Sequence, residues 1–251
     1  MQKSKLIDDL IYDVSVNNRP VIDVRVGVSW TAVQAMHCGL AKTYGIPFKH
    51  GNYTNNMGNL TKMTTLELAS YAHSWNLIEA SIGCAAIASM ASPPQNAVDS
   101  NAQGIIMQKS SGARVTMVGA FPFCTKLREV AAELYVLELD PYQLNAREGI
   151  LPETAADYVI PDTDVLIISG STLINKSLER LLSLARESQA YTVILGPSTI
   201  MSEVLFEYGA DMLGGSFVIN PEAIKNKISQ SGGMLETKVC PGEIIFKVMQ
   251  K

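Results

Sequence analysis

Asp164-Val165-Leu166-Ile167-Ile168-Ser169-Gly170-Ser171-Thr172-Leu173-Ile174-Asn175 is the stretch that decides the fold. Four consecutive apolar, mostly β-branched residues stop abruptly at Ser-Gly-Ser-Thr. An uninterrupted apolar strand is one buried on both faces, as in a parallel sheet with helices on either side. The polar residues that follow predict a turn and the start of a helix near Thr172 or Leu173.

Working outward, the same rhythm recurs. Strands are predicted at Val115–Gly119, Tyr135–Leu139, Val165–Ser169 and Thr192–Gly196, with a fifth at Asp211–Leu213. Helices fit at Thr125–Leu134, Leu173–Glu187, Ser202–Tyr208 and Pro221–Ser229. A short edge strand is expected around Asp157–Ile160. Alternation of this kind specifies a mostly parallel, doubly wound α/β domain.

Toward the N-terminus the pattern differs. Leu6, Leu10, Ile11 and Val14 recur at helical spacing. Val21–Val28, Thr31–Cys38 and Leu40–Tyr44 then predict a three-stranded meander, with Gly27 and Gly39 near the turns. Helices follow from Thr64 to about His73 and from about Asn76 to Met90. The expected organisation is a small α+β domain over 1–100 and the parallel domain over 101–251. The Ser-, Asn-, Gln-, Gly- and Pro-rich stretch 92–112 is the linker.

Composition bounds the function. The 251 residues carry 20 basic and 24 acidic side chains, with 47% hydrophobic residues, as befits a folded domain rather than a disordered chain. No basic stripe is present, so nucleic acid is not an expected partner. Nor is a membrane, because no apolar run approaches the ~20 residues of a span. Asp8 and Asp9 stand where a signal peptide needs its apolar region. Cys38, Cys84, Cys124 and Cys240 are far apart with no CxxC pair, which fits a reduced, cytoplasmic setting better than a disulfide framework. Asn52, Asn59 and Asn175 open Asn-x-Ser/Thr matches that are read as chance. A homo-oligomer remains open.

Candidate site residues collect where the predicted strands end. In a parallel sheet these ends share one edge, the carboxyl edge, where open α/β folds bind ligands. The turns supply Gly119, Phe121 and Pro122, then Glu138, then Gly170, Ser171 and Thr172 with Asn175, then Gly196, Pro197 and Ser198, and finally Gly215. Glu138 lies about twenty residues past the first turn, where an acid can bind ribose hydroxyls. The Gly-x-Gly-x-x-Gly fingerprint is absent, which argues against a nicotinamide dinucleotide. No phosphate loop or nucleophile elbow occurs either. His37 and Cys38, adjacent on a predicted strand, should point to opposite faces, and His50 falls in a loop; no metal-ligand set is predicted.

Read together, Val118-Gly119-Ala120-Phe121-Pro122-Phe123, the Gly170–Asn175 run and Gly196-Pro197-Ser198-Thr199 resemble the signature of a domain-of-unknown-function family tied by its name to heavy-metal chelation. Val26-Gly27-x-x-Trp30-Thr31-Ala32-Val33 and Ser81-Ile82-Gly83-Cys84-Ala85-Ala86-Ile87 resemble its companion N-terminal domain. The resemblance implies an N-terminal domain similar to that of enolase, a Rossmann-like C-terminal domain and a site between them. The expected function is binding of a small anionic or metal-complexing molecule there. Two alternatives stand beside it: a transferase-like enzyme using a nucleoside cofactor, and a non-catalytic carrier or sensor. The ligand or cofactor classes left open are a metal chelate and an adenosine-containing molecule, and no catalytic residue is named.

Overall fold

The computed structural model describes residues 4–44, 53–100 and 102–251. Helix α1 (Lys5–Val14) is capped by Ser4, whose hydroxyl accepts from the Ile7 N–H, and buries Leu6, Ile7, Leu10 and Val14. Strands β1 (Asp23–Val26), β2 (Trp30–Gln34) and β3 (Cys38–Lys42) form an antiparallel sheet in that order. A Thr64–Glu67 capping box starts α2 (Thr65–Ala69), which satisfies two otherwise orphaned N–H groups. Helix α3 (Leu77–Met90) is apolar on nearly every side and almost wholly buried, so it forms the centre of this part of the molecule.

The strand boundaries differ from expectation at one turn. Residues 35–37 make it, closed by Ala35 N–H donating to His37 O at 2.9 Å, so Gly39 lies within β3 rather than beside a turn. The reason is contact. A Cβ on Gly39 would sit 2.1 Å from Ala85 O and 2.3 Å from Ser89 N, both backbone atoms of α3. The glycine lets strand and helix touch directly.

The second part begins inside the expected linker. Helix α4 (Ala102–Lys109) occupies much of 92–112 and buries Ile106 on the sheet. One buried apolar residue in a Gln- and Gly-containing turn gives little periodicity, which is why the sequence concealed it. Then follow β4 (Arg114–Val118), α5 (Cys124–Val130), β5 (Glu133–Glu138) and β6 (Ile150–Pro152), then α6 (Ala156–Val159), β7 (Val165–Ser169), α7 (Leu178–Ser188) and β8 (Tyr191–Leu195), then α8 (Val204–Glu207), β9 (Met212–Val218), α9 (Pro221–Ser229) and β10 (Ile244–Gln250). The sheet order is β10-β9-β8-β7-β4-β5-β6, parallel throughout except for antiparallel β10.

Three further differences are local. The edge strand is β6, and Asp157–Ile160 is helical instead; a three-residue strand ending in proline has too few alternating positions to be seen. Strand β10 adds an edge that the sequence reading lacked. After β7 the chain makes a 3₁₀ turn over Gly170–Leu173, and α7 starts only at Leu178.

Strand β7 shows why the apolar run matters. Leu166 and Ile168 pack into a core shared with α1, α3, α7 and α8, while Val165 and Ile167 pack into the opposite core with Ile106 and Leu127. The first core therefore runs continuously from the N-terminal helices to the large sheet. Helix α1 reinforces that junction: Ser4 donates to Glu179 at 2.7 Å, Tyr208 donates to Asp9 at 2.6 Å and Ser202 donates to Asp13 at 2.7 Å. On the far side of the small sheet, Trp30, Ala32 and Leu40 pack against Ile224 and Ile228 of α9.

Candidate functional site

The chain leaves β4 for β5 and β6 on one side, then returns to place β7 on the other side of β4. The strand order thus reverses between β4 and β7. Such a switch point opens a crevice at the carboxyl ends of the strands. Gly119 follows β4 with φ +85°, and its Cα faces Ser169 at the end of β7; a Cβ there would lie 3.2 Å from Ser169 Cβ. The first turn is pinned from the β5 side. Glu138 Oε1 accepts from the Ala120 N–H at 2.5 Å, and among the described residues its other oxygen has no hydrogen-bond partner.

Ser169 and Ser171 form a hydroxyl pair at 2.8 Å, and Ser169 Oγ also accepts from the Ser171 N–H. Tyr44, just beyond β3, donates its hydroxyl to Ser171 O at 3.5 Å. Burial pushes the Tyr44 phenol up; the Ser171 hydrogen bond opposes this, and the negative charge of Glu138 adds to it. Phe121 stacks on Phe123 with centroids 5.6 Å apart, and its ring edge reaches the space beside Gly196, which has φ +114°. Pro122 is exposed beside them. Gly119, Phe121, Glu138, Ser171 and Gly196 thus lie around the carboxyl ends of β4, β5, β7 and β8, with Ser169 and Tyr44, which the sequence reading did not select, beside them.

The other predicted residues have internal partners. Gly170 is buried under Thr199. Thr172 donates its hydroxyl to Ser169 O at 2.7 Å. Asn175 Oδ1 accepts from the Ser177 N–H at 3.0 Å and the Ser177 hydroxyl at 2.8 Å, which fixes the entry to α7. The late start of α7 means that Asn175 lies ahead of the helix rather than in its first turn, and that no α-helical N-terminus opens at Thr172. Ser198 is 6% exposed and accepts from the Lys42 N–H at 2.9 Å. Pro197 O accepts from the Ser216 hydroxyl at 3.3 Å. Gly215 is a packing position within β9 against Met201.

Strand β3 consequently crosses the carboxyl edge, with Lys42 over the β8 loop and Tyr44 over the β7 loop. At its other end, Cys38 to Leu40 and the C-terminal half of β9 enclose a cavity of about 150 Å³, also lined by His37, Pro197 and Thr199. His37 lies in the turn rather than on a strand, and burial lowers its pKa.

A family model described as "Putative heavy-metal chelation", DUF364, matches residues 101–240. The chain belongs to the DUF364 family. A second model with the same description, DUF4213, matches residues 7–91. A crystal structure of a DUF364 protein of unknown function from Desulfitobacterium hafniense superposes with a TM-score of 0.82 at 24% identity, covering 98% of each chain. Another from Pyrococcus horikoshii gives 0.76 at 23% identity, covering 99% of each. An uncharacterized protein of Methanocaldococcus jannaschii is 24% identical over 189 residues, 74% of this chain and 69% of its own length. The solved structures share the fold.

The family description prompts a test of the donors. Among the described residues no group of three or more His, Cys, Asp or Glu side chains is placed to hold a metal ion. Burial pushes the thiols of Cys38 and Cys84 up to about 12, so both are protonated and poor ligands near neutral pH. These donors do not fit direct chelation of a bare ion. His50 and Asn52 lie outside the described residues, as do Met1–Lys3. No helix among the described residues is long and apolar enough to cross a membrane.

Proposed function

We propose that this DUF364 protein binds a small molecule in the crevice between β4 and β7, under the roof that Tyr44 supplies. The observation that supports the proposal is the switch point itself: the Gly119 turn meets Ser169, and Glu138 holds that turn with one oxygen while the other has no hydrogen-bond partner among the described residues. A carboxylate there accepts from ligand hydroxyl or amino groups, and the Ser169–Ser171 pair can both donate and accept. Phe121 offers an apolar face alongside. If a metal is involved, it arrives complexed by an organic molecule, because the donors described do not form a cage. Both a metal chelate and an adenosine-containing molecule satisfy this chemistry.

Thermal-shift titrations with adenosine, ATP, and the citrate complexes of Ni²⁺ and Co²⁺ test the proposal. At least one should raise the melting temperature saturably, and Glu138→Gln should weaken it by about tenfold or more, as expected for loss of a charge-assisted hydrogen bond. No saturable shift from any of them, or the same affinity in Glu138→Gln, overturns it.

A further inference from the structure

Lys176 lies in the loop between β7 and α7, directly after the Gly170–Asn175 run. Its backbone has φ +68°, a left-handed conformation that is unfavourable for a non-glycine residue. Such strain persists only where the surroundings impose it, and it concentrates at functional sites. The side chain turns toward the N-terminal part. Nζ donates to Ser74 O, the carbonyl ahead of α3, and to Ile174 O at 2.8 Å. It lies 5.7 Å from the ring centroid of Trp75, which is itself 60% exposed.

What this ammonium lacks is a counter-charge. Among the described residues no carboxylate lies within 4.0 Å of it; the ion pairs are made by Arg25, His73, Arg114, Arg180, Lys225, Lys227 and Lys247. The stretches outside the described residues, Met1–Lys3, 45–52 and Asn101, contain no Asp or Glu at all. Two carbonyl dipoles and an aromatic face stabilise a cation and orient it, but they leave its net charge uncompensated. Desolvation makes that costly, and burial lowers the Lys176 pKa accordingly. A half-buried, oriented cation without a carboxylate beside it is a candidate to take an anion as its counter-charge.

We infer that Lys176 is the anion-binding group of the site, so that the ligand carries a carboxylate or phosphate held by Lys176 beside Trp75. The inference rests on the binding site proposed above and adds a charged end to its ligand. The link is the shared loop between β7 and α7: Ser171 and Lys176 are five positions apart in it, and Tyr44 lies against Ser171.

The test uses phosphate, pyrophosphate and citrate, each titrated at constant ionic strength. It follows the fluorescence of Trp75, one of two tryptophans in the chain, with the buried Trp30 replaced by Phe. In parallel, mass spectrometry scores acylation of Lys176 by an amine-reactive reagent. At least one anion should saturate the fluorescence change and protect Lys176 from acylation. Lys176→Asn removes the charge with a residue that tolerates left-handed backbone, so the fold should persist in its circular dichroism. This variant should bind that anion about tenfold or more weakly, and Lys176→Arg should restore much of the loss. If no anion saturates, or Lys176→Asn binds as well as the parent, the inference is wrong. A Glu138-dependent thermal shift that Lys176→Asn leaves unchanged would retain the binding site and reject only the role of Lys176.

Discussion

Replacing Gly170 by alanine should damage the protein far more than one methyl group would suggest. The added Cβ would lie 2.6 Å from Thr199 N, 2.6 Å from Thr199 Oγ1 and 2.7 Å from Thr199 Cα. Side-chain rotation can relieve only one of these contacts, because the other two are backbone. That backbone is fixed on several sides. Thr199 N–H donates to Gly196 O at 3.0 Å, and Ser198 next to it is held by the Lys42 N–H at 2.9 Å. Overpacking of a tight site costs about 1–3 kcal/mol, and backbone clashes place this one near the top, about 3 kcal/mol. For a chain of this size each kcal/mol lowers the melting temperature by about 2–4 °C, so a fall of about 6–12 °C is expected. Thermal circular dichroism measures it, and urea titration should show a lower midpoint with an unchanged slope. Ser171→Ala is the control, losing only the half-exposed hydroxyl pair and about 1 kcal/mol. A Gly170→Ala variant within 2 °C of its parent, on the order of 1 kcal/mol or less, would refute the close packing of the β7 and β8 loops.

Other outcomes follow from single features. Thr199 Oγ1 is buried without a hydrogen-bond partner among the described residues, so the isosteric Thr199→Val should leave stability unchanged or raise it by up to about 1 kcal/mol; a clear loss would reveal a partner. Bare Zn²⁺, Ni²⁺ and Co²⁺ should bind weakly by calorimetry, given protonated Cys38 and Cys84; submicromolar, stoichiometric binding that depends on cysteine or histidine would contradict this. At Asp23, burial raises the pKa, but hydrogen bonds and charge from Lys225 and Arg25 outweigh it and bring it below 3.8. Its stabilising contribution is therefore complete above that value and fades as pH falls through the lower folded-state pKa. Asp23→Asn should thus destabilise the protein at pH 7 and flatten the acid limb of its stability curve, and an unchanged limb would count against the pairing.

The sequence was most legible where one physical requirement acted alone. Strand β7 is buried on both faces, so its apolar run coincides with Val165–Ser169 in the structure. Helix α9 has a cap at Asn220 and proline at its first position, and its limits coincide too. Legibility failed where several requirements competed. Gly39 is a glycine for contact with α3 rather than for a turn, and α4 carries a single buried Ile106. At the proposed site, the strand-end rule selected residues along one edge of the sheet but could not separate exposed groups from those consumed internally. Thr172, Asn175 and Ser198 are the residue types a ligand would use, yet the side-chain oxygen of each is engaged by backbone or, for Asn175, also by the Ser177 hydroxyl. Tyr44 and Lys176 carry no local motif. The roles proposed for them rest on β3 crossing the sheet edge and on the neighbours of the Lys176 ammonium, and both are properties of the assembled chain.

The central claim, a ligand site at the β4–β7 switch point, is tested most directly by a crystal structure of the protein bearing whichever small molecule remains on it through purification. The account predicts ligand atoms within hydrogen-bonding distance of the free oxygen of Glu138 and of the Ser169–Ser171 hydroxyls. A ligand seated instead in the cavity beside His37, with nothing near Glu138 or Ser171, would contradict it.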